Sequence, residues 1–302
     1  MRQPLTIFLL LLSATAYCQP QVIVLGVAQD GGYPHIGCSK SCCQNAWNDE
    51  LARRHVVSLA LVDPENRKWY LFEATPDINE QLRLFSELTN HEFNYLPDGI
   101  FLTHAHIGHY TGLMEFGREA MGTKDLPVHV LPKMKSFLES NGPWSQLVSL
   151  KNIKLIEMQA DVPVDLGGQM MVLPFIAPHR DEYSETAGFK IISPQKKYLF
   201  IPDIDKWSKF KKDIVNEVGL VDVAFLDASF YSADELPNRD LREIPHPLVT
   251  ETMKLFKSAS LKTKSKVHFI HFNHSNPLLS DAVVQESVTI EGFNIAEQGK
   301  GY

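Results

Sequence analysis

The segment Thr103-His104-Ala105-His106-Ile107-Gly108-His109 constrains this chain more than any other. Three histidines stand within six residues, directly after the short apolar run Gly99 to Leu102. Such a run reads as a buried strand, which places the histidines on the loop that leaves it. Loops held at strand ends are where a rigid sheet presents its chemistry. Neutral imidazole is a ligand for zinc, iron, copper and nickel. With 12 histidines in 302 residues, so tight a cluster is rare by chance, and we read it as a metal site rather than a solvated loop.

The remaining pattern predicts a layered α/β scaffold for that loop. Gln21 to Val27, Val56 to Val62, Lys68 to Phe72 and Val128 to Leu131 read as strands beside Gly99 to Leu102. Asp77 to Leu88, Thr111 to Met121 and a stretch starting at Lys133 read as helices. In the second half, Met170 to Ile176, Ala187 to Ile192, Tyr198 to Ile201, Val221 to Leu226 and Val267 to Phe272 read as strands. Asp205 to Val218, Leu248 to Phe256 and Leu279 to Glu286 read as helices. Strand groups followed by helices in both halves predict two sheets covered by helices. No internal repeat and no low-complexity linker divides them.

The first 18 residues stand apart. Arg2, the apolar run Leu5 to Leu12, and the small residues Ser13 to Ala16 form a secretory leader pattern. Ala14-Thr15-Ala16 supplies one cleavage site, and a cut after Cys18 is the other. The run is shorter than the ~20 residues a membrane span needs. The expected organisation is therefore a signal peptide over 1–18, one domain over 19–302, no membrane span, and a periplasmic or extracellular location. A net charge of -7 argues against a general nucleic-acid surface, which needs a basic patch. It leaves room for a small anionic substrate, because bound cations invert the local field.

The histidine segment resembles the HxHxDH motif of the metallo-β-lactamase superfamily, and the later elements of that family follow in order. His179 stands after Pro178, Asp203 after the run YLFIP, and His271 in VHFIHFNH. The resemblance implies an α/β (α+β) fold, a four-layer αββα sandwich. It implies one metal seat of His104, His106, His179 and Asp203, and a second of His109, Asp203 and His271, with Asp203 and His271 also catalytic. One position departs from the motif: the family Asp is Gly108 here. The loss of that carboxylate leaves the number of metals open, and a Gly108→Asp replacement is expected to raise it. Two histidines with one carboxylate is also the pattern of mononuclear iron enzymes.

A second resemblance lies in Gln29-Asp30-Gly31-Gly32, Pro34-His35, Cys38, Cys42-Cys43 and the C-terminal FIHFNHSNP. These are similar to the pyrroloquinoline quinone biosynthesis protein B group and, more loosely, to phosphodiesterases of the same fold. The analogy implies a structural zinc on Cys38, Cys42, Cys43 and His274. Three thiolates with one imidazole is a closed tetrahedral set. Free thiols or one disulfide are the alternatives, and His271 and His274 could exchange roles. Glu73 and Asp77 are candidates for orienting a ligand imidazole. Glu182 and Asp227 are candidates for the substrate pocket. The implied cofactor is Zn2+, with Mn2+ or Fe2+ as options. The implied activity is metal-dependent hydrolysis of a phosphodiester or other ester-type small molecule, by a water whose pKa the metal lowers to about 7. An iron-dependent oxidative enzyme and a quinone or precursor carrier are the other two classes. The oligomeric state is left open.

Overall fold

The computed structural model describes residues 19–302; the expected leader lies outside the described residues. Two sheets form the centre. The first runs in the order β1 (Gln21–Gly26), β2 (Ser58–Asp63), β3 (Lys68–Phe72), β4 (Gly99–Phe101), β5 (Leu126–Val130), β6 (Ile153–Glu157). The second comprises β7 (Val164–Gly167), β8 (Met170–Ala177), β9 (Thr186–Ile192), β10 (Lys197–Ile201), β11 (Val223–Asp227), β12 (Val267–Ile270) and β13 (Asn294–Ile295), again with sequential neighbours. Both sheets mix antiparallel and parallel pairing. β1, β2 and β3 are antiparallel and β3 to β6 parallel, while β7 to β10 are antiparallel and β10 to β13 parallel.

Alternation along the strands sorts side chains into two layers. Val22 and Val24 of β1 face the second sheet, with Leu59, Leu61, Phe72 and Phe101. Ile23 and Leu25 face the other way, with Ala60, Val62, Trp69, Leu71 and Ile100, against a helix over Ile78–Leu88. That helix buries Ile78, Leu82 and Phe85, one stripe at helical spacing, and Phe85 stacks on Trp69 at 3.9 Å. Burial on both faces explains why β2 is buried at all six positions. Between the sheets an aromatic cluster joins the halves: Phe189 lies 5.4 Å from Phe72 and 5.9 Å from Phe101, and Phe200 lies 6.3 Å from Phe72. Helices at Val249–Leu255 and Ala282–Ile290 cover the second sheet through Val249 and Val288.

Several expected elements end differently. The helix expected over 111–121 is a short helix at Ile107–Tyr110 followed by a 3-10 turn at Thr111–Phe116. The helix expected over 205–218 is a 3-10 turn at Trp207–Lys209 and a separate helix at Ile214–Gly219, restarted by Asp213, whose side chain accepts from Asn216 N. β6, β7, β13 and the helix Ser41–Asn48, which carries two of the cysteines, were not anticipated. The strand expected to reach Phe272 stops at Ile270, because His271 takes a left-handed backbone (φ 68°).

The inter-sheet aromatics should dominate stability. Phe189→Ala is expected to cost about 3–5 kcal/mol, as for other large-to-small core changes. Denaturant unfolding in the presence of a chelator, where metal binding cannot mask the loss, checks it; a change below about 1 kcal/mol contradicts this account of the core.

Candidate metal centre

Apart from His246, the candidate ligands of the centre leave the same end of their strands. Asp30 follows β1, Glu73 follows β3, His104 follows β4, His179 follows β8, Asp203 follows β10, Asp227 closes β11 and His271 follows β12. The pairing directions make β1, β3 and β4 run one way in the first sheet, and β8, β10, β11 and β12 run one way in the second. The reversed strands β2 and β9 contribute none. Open α/β sheets place sites outside the carboxyl ends of their strands, and here the ends of two sheets face one crevice. The backbone is bent to serve it. Glu73 (φ 74°) and His271 (φ 68°) both occupy a region that residues with a side chain seldom adopt.

Three groups of possible ligand atoms result, each within 4.8 Å: His104, His106, His179 and Asp203; Asp203, Asp227, His246 and His271; and Asp30, His109 and His271. In the first, His104 Nε2 stands 2.7 Å from His106 Nδ1 and 3.3 Å from Asp203 Oδ2. His179 Nε2 stands 3.3 Å from Asp203 Oδ1 and 3.3 Å from His106 Nδ1. In the third, His109 Nε2 is 3.2 Å from Asp30 Oδ1 and 3.7 Å from Asp203 Oδ2. His271 Nε2 is 3.8 Å from the same Asp30 oxygen.

The outer nitrogens of His104 and His271 have hydroxyl partners, and that of His109 faces a buried carboxylate. Thr103 Oγ1 is 2.8 Å from His104 Nδ1, and buried Glu73 is 3.3 Å from His109 Nδ1. Ser229 Oγ donates to Asp227 Oδ1 and stands 2.9 Å from His271 Nδ1. Its lone pair therefore accepts the Nδ1 proton, which turns His271 Nε2 toward Asp30 and His109 as the nitrogen that must give up its proton to hold a cation. Anchoring one ring nitrogen to orient the other is how proteins present imidazole to a cation. Asp227 also accepts from Ile204 N, Ser229 N and His246 Nδ1, so it holds the wall of the site in place.

The residues fit a cation on chemistry seen here. Asp30 Oδ1, Asp203 Oδ1, His109 Nε2 and His271 Nε2 are all buried atoms without a hydrogen-bond partner. Native interiors seldom leave such atoms orphaned, and an ion would satisfy several together. Charge points the same way. Burial pushes His104 well below the ordinary histidine range, with the His109 charge adding to it. Burial also lowers His179, to about 4. Both therefore present neutral lone pairs. Burial opposes the charge on His109, yet Glu73 and Asp30 hold it well above its ordinary value. His271 is likewise raised against burial, to about 9, by Asp227 and Asp30. Burial works against the Asp203 charge, but His179 and His246 hold its carboxyl well below the usual range.

Other expected residues fall outside this centre. Asp77 Oδ2 accepts from Val56 N at 2.8 Å and touches no ligand imidazole, because its strand end turns into the helix it precedes. Glu182 sits at the rim, with Oε2 2.9 Å from His106 Nε2; burial raises its pKa, but the His106 contact, its own backbone N–H and the Arg180 charge together hold it below the ordinary value. His274 is not in the cluster: its ring lies 4.3 Å from that of His35, so His271 alone of the two reaches the centre. Cys38, Cys42 and Cys43 converge within 4.8 Å as free thiols, with burial pushing Cys43 up to about 12. His274 is not within that ligand group. The expectation for Gly108→Asp is corrected by space. A Cβ at Gly108 would lie 2.3 Å from Asp30 Oδ1 and 2.6 Å from its Cα, so an added carboxylate has no room. Two residues of the centre were missed. Asp30 lies in the glycine-rich segment Gln29 to Gly32, and its place after β1 is the signal that could have found it. His246, flanked by prolines in a loop, carried none.

The model of the family described as "Beta-lactamase superfamily domain" matches residues 68–272, more than half of the chain. The chain belongs to the beta-lactamase superfamily. Among curated relatives of this superfamily member, the coenzyme PQQ synthesis protein B of Methylorubrum extorquens is 24% identical, over 92% of this chain and 98% of that protein. The solved Zn(2+)-bound PqqB from Methylobacterium extorquens superposes with TM-score 0.75 at 19% identity, over 93% of this chain and 99% of that one. A diphosphatase from the PhnP family superposes with TM-score 0.68 at 21% identity, over 94% and 96%. The fold is thus the metallo-β-lactamase αββα sandwich, and the centre is a metal-binding one.

A ligand imidazole must be neutral. His271 and His109, raised above their ordinary range, carry protons at pH 7 in the metal-free protein. Cation binding should therefore release protons at pH 7, and affinity should climb as pH rises toward about 9 and then level off. Calorimetric titration in buffers of different ionisation enthalpy reads this directly. Binding at pH 7 without proton release contradicts the charge assignment.

Proposed function

We propose that this protein is a divalent-cation-dependent hydrolase of a small phosphodiester or another ester-type substrate. The observation that carries the reading is the position of Asp203. Its Oδ1 stands 3.3 Å from His179, and its Oδ2 stands 3.3 Å from His104 and 3.7 Å from His109, so one carboxylate would serve two adjacent cation seats. Paired seats suit in-line displacement, in which both the attacking and the leaving oxygen need stabilising. Cations bound there would polarise the ester oxygen and lower the pKa of a water molecule. An imidazole-rich set with carboxylates suits zinc first, with manganese or iron as options.

The protein's own side chains supply the rest. His246 is buried; Asp227 Oδ2 at 2.9 Å and Asp203 Oδ1 at 3.2 Å keep its pKa raised against burial. A buried imidazole inclined to hold a proton is suited to protonate a leaving oxygen. Arg180, half-exposed, lies 3.3 Å from His106 at the rim, where its guanidinium would receive an anionic substrate. Likeness in fold to a PhnP-family diphosphatase supports a phosphorus ester over a carboxylic one. Likeness along 92% of the chain to proteins named for coenzyme PQQ synthesis favours a second reading, an oxidative enzyme or carrier for a quinone precursor.

The test is release of p-nitrophenol from bis(p-nitrophenyl) phosphate by protein loaded with zinc or manganese, without oxygen. Turnover is expected, and His104→Ala or Asp203→Ala should lower it by on the order of 100-fold or more, since each removes a group that holds the cation. No hydrolysis, together with Fe2+-dependent oxygen consumption on a quinone precursor, sinks the proposal in favour of the oxidative reading.

A further inference from the structure

Gly108 interrupts a histidine segment that is otherwise dense in ligands. Its backbone does not call for glycine: it lies in the short helix Ile107–Tyr110 and is not among the positive-φ residues. Space does. A Cβ there would meet Asp30 Oδ1 at 2.3 Å, Cα at 2.6 Å and Cγ at 2.7 Å. Glycine at 108 and aspartate at 30 are therefore one feature: the missing side chain leaves the volume that the Asp30 carboxylate fills.

We infer that Asp30 is the carboxylate ligand of the second cation seat, reaching across the bare Cα of Gly108 to complete a set with His109 and His271. Asp30 Oδ1 lies 3.2 Å from His109 Nε2 and 3.8 Å from His271 Nε2, and all three atoms are buried without a hydrogen-bond partner. The 3.2 Å contact lacks hydrogen-bond geometry and the 3.8 Å one is too long for a hydrogen bond, so an ion among the three atoms would satisfy them together. The outer nitrogen of His271 stands 2.9 Å from Ser229 Oγ, and that of His109 faces the buried Glu73 carboxylate at 3.3 Å.

The loop that carries Asp30 is built to stay there. Ala28 bridges to both Val56 and Phe272, which ties the loop to the two sheets at once. Gln29 N donates to Phe272 O, Asn273 Nδ2 donates to the Gln29 side chain at 2.6 Å, and Gly32 N donates back to Gln29 O. The residue is thus fixed beside His271 by the segment that follows His271. A carboxylate held on rigid backbone, at ligand distance from two oriented imidazoles, forms a three-residue seat for zinc, manganese or iron.

The inference rests on the two-seat reading of the centre, but its test does not use hydrolysis. The chelated protein is titrated with Mn2+, which prefers carboxylate and imidazole over the thiolates of the cysteine cluster. Bound metal is counted, and the electron paramagnetic resonance spectrum is recorded. The wild-type protein should take two Mn2+ per chain with a spin-coupled signal. Asp30→Ala and Asp30→Asn should keep the first equivalent, which reports an intact fold, and bind the second on the order of 100-fold more weakly, at the upper end of what outer-sphere losses cost. Gly108→Ala should do the same by displacing Asp30. The double variant Gly108→Ala/Asp30→Ala should be no worse than Asp30→Ala, because both changes remove one interaction. One Mn2+ in the wild type, two tight Mn2+ in Asp30→Asn, a silent Gly108→Ala, or additive losses in the double variant each overturn it. If Asp30→Ala loses the first equivalent too, the same-sized Asp30→Asn decides.

Discussion

The Asp203 carboxylate is the constraint around which the rest is arranged. It is 3% exposed, and its two oxygens are approached by His104, His106, His109, His179 and His246 from three separate segments. A carboxylate this deep is tolerable only if opposite charge and polar groups surround it closely. That demand explains the convergence. The loops after β4 and β8 and the one bearing His246 must meet at the end of β10, and they can do so only if two sheets pack face to face with matching strand ends. The aromatic contacts between Phe72, Phe101 and Phe189 hold that registration.

Around Asp203 the site separates holding from presenting. His104 and His271 each have one ring nitrogen at hydrogen-bond distance from Thr103 or Ser229, His109 has one facing the Glu73 carboxylate, and in all three the other nitrogen is turned inward. His106 is the exception: its Nδ1 faces the centre and its Nε2 meets Glu182 at the surface, so it joins the buried cluster to the rim where substrate arrives. Asp227, with several donors, never needs to face the cation space and instead fixes His246 and the chain around residue 204. Catalysis in such a centre depends less on any single residue than on how little these groups can move.

Some of this was legible in the chain itself and some was not, for definable reasons. His104, His106 and His109 announced themselves because one strand end delivers all three, so their spacing along the chain is also their spacing in space. His179, Asp203 and His271 were readable only through their order behind a known motif; each alone is an ordinary residue after an apolar run. For Asp77 the sequence allows a ligand-orienting role and a helix N-terminal one equally, because a carboxylate at a strand end looks the same whether it turns toward a ligand or toward Val56 N. The helices expected over 111–121 and 205–218 were broken because polar residues continue a periodic pattern on paper, while the packed chain restarts at Asp213.

By itself the sequence determined that the chain forms layered sheets with a histidine-built metal centre, since apolar runs and a local ligand cluster are properties of neighbouring residues. Only the tertiary structure decided which carboxylate meets His109. Asp30 stands far from Gly108 along the chain, and nothing local links an aspartate after β1 to a glycine after β4. The link is made when Ala28 is pinned between Val56 and Phe272, which carries Asp30 into the one volume that a missing side chain leaves open. Excluded volume between distant segments is a fact of packing, and no local pattern of residues encodes it.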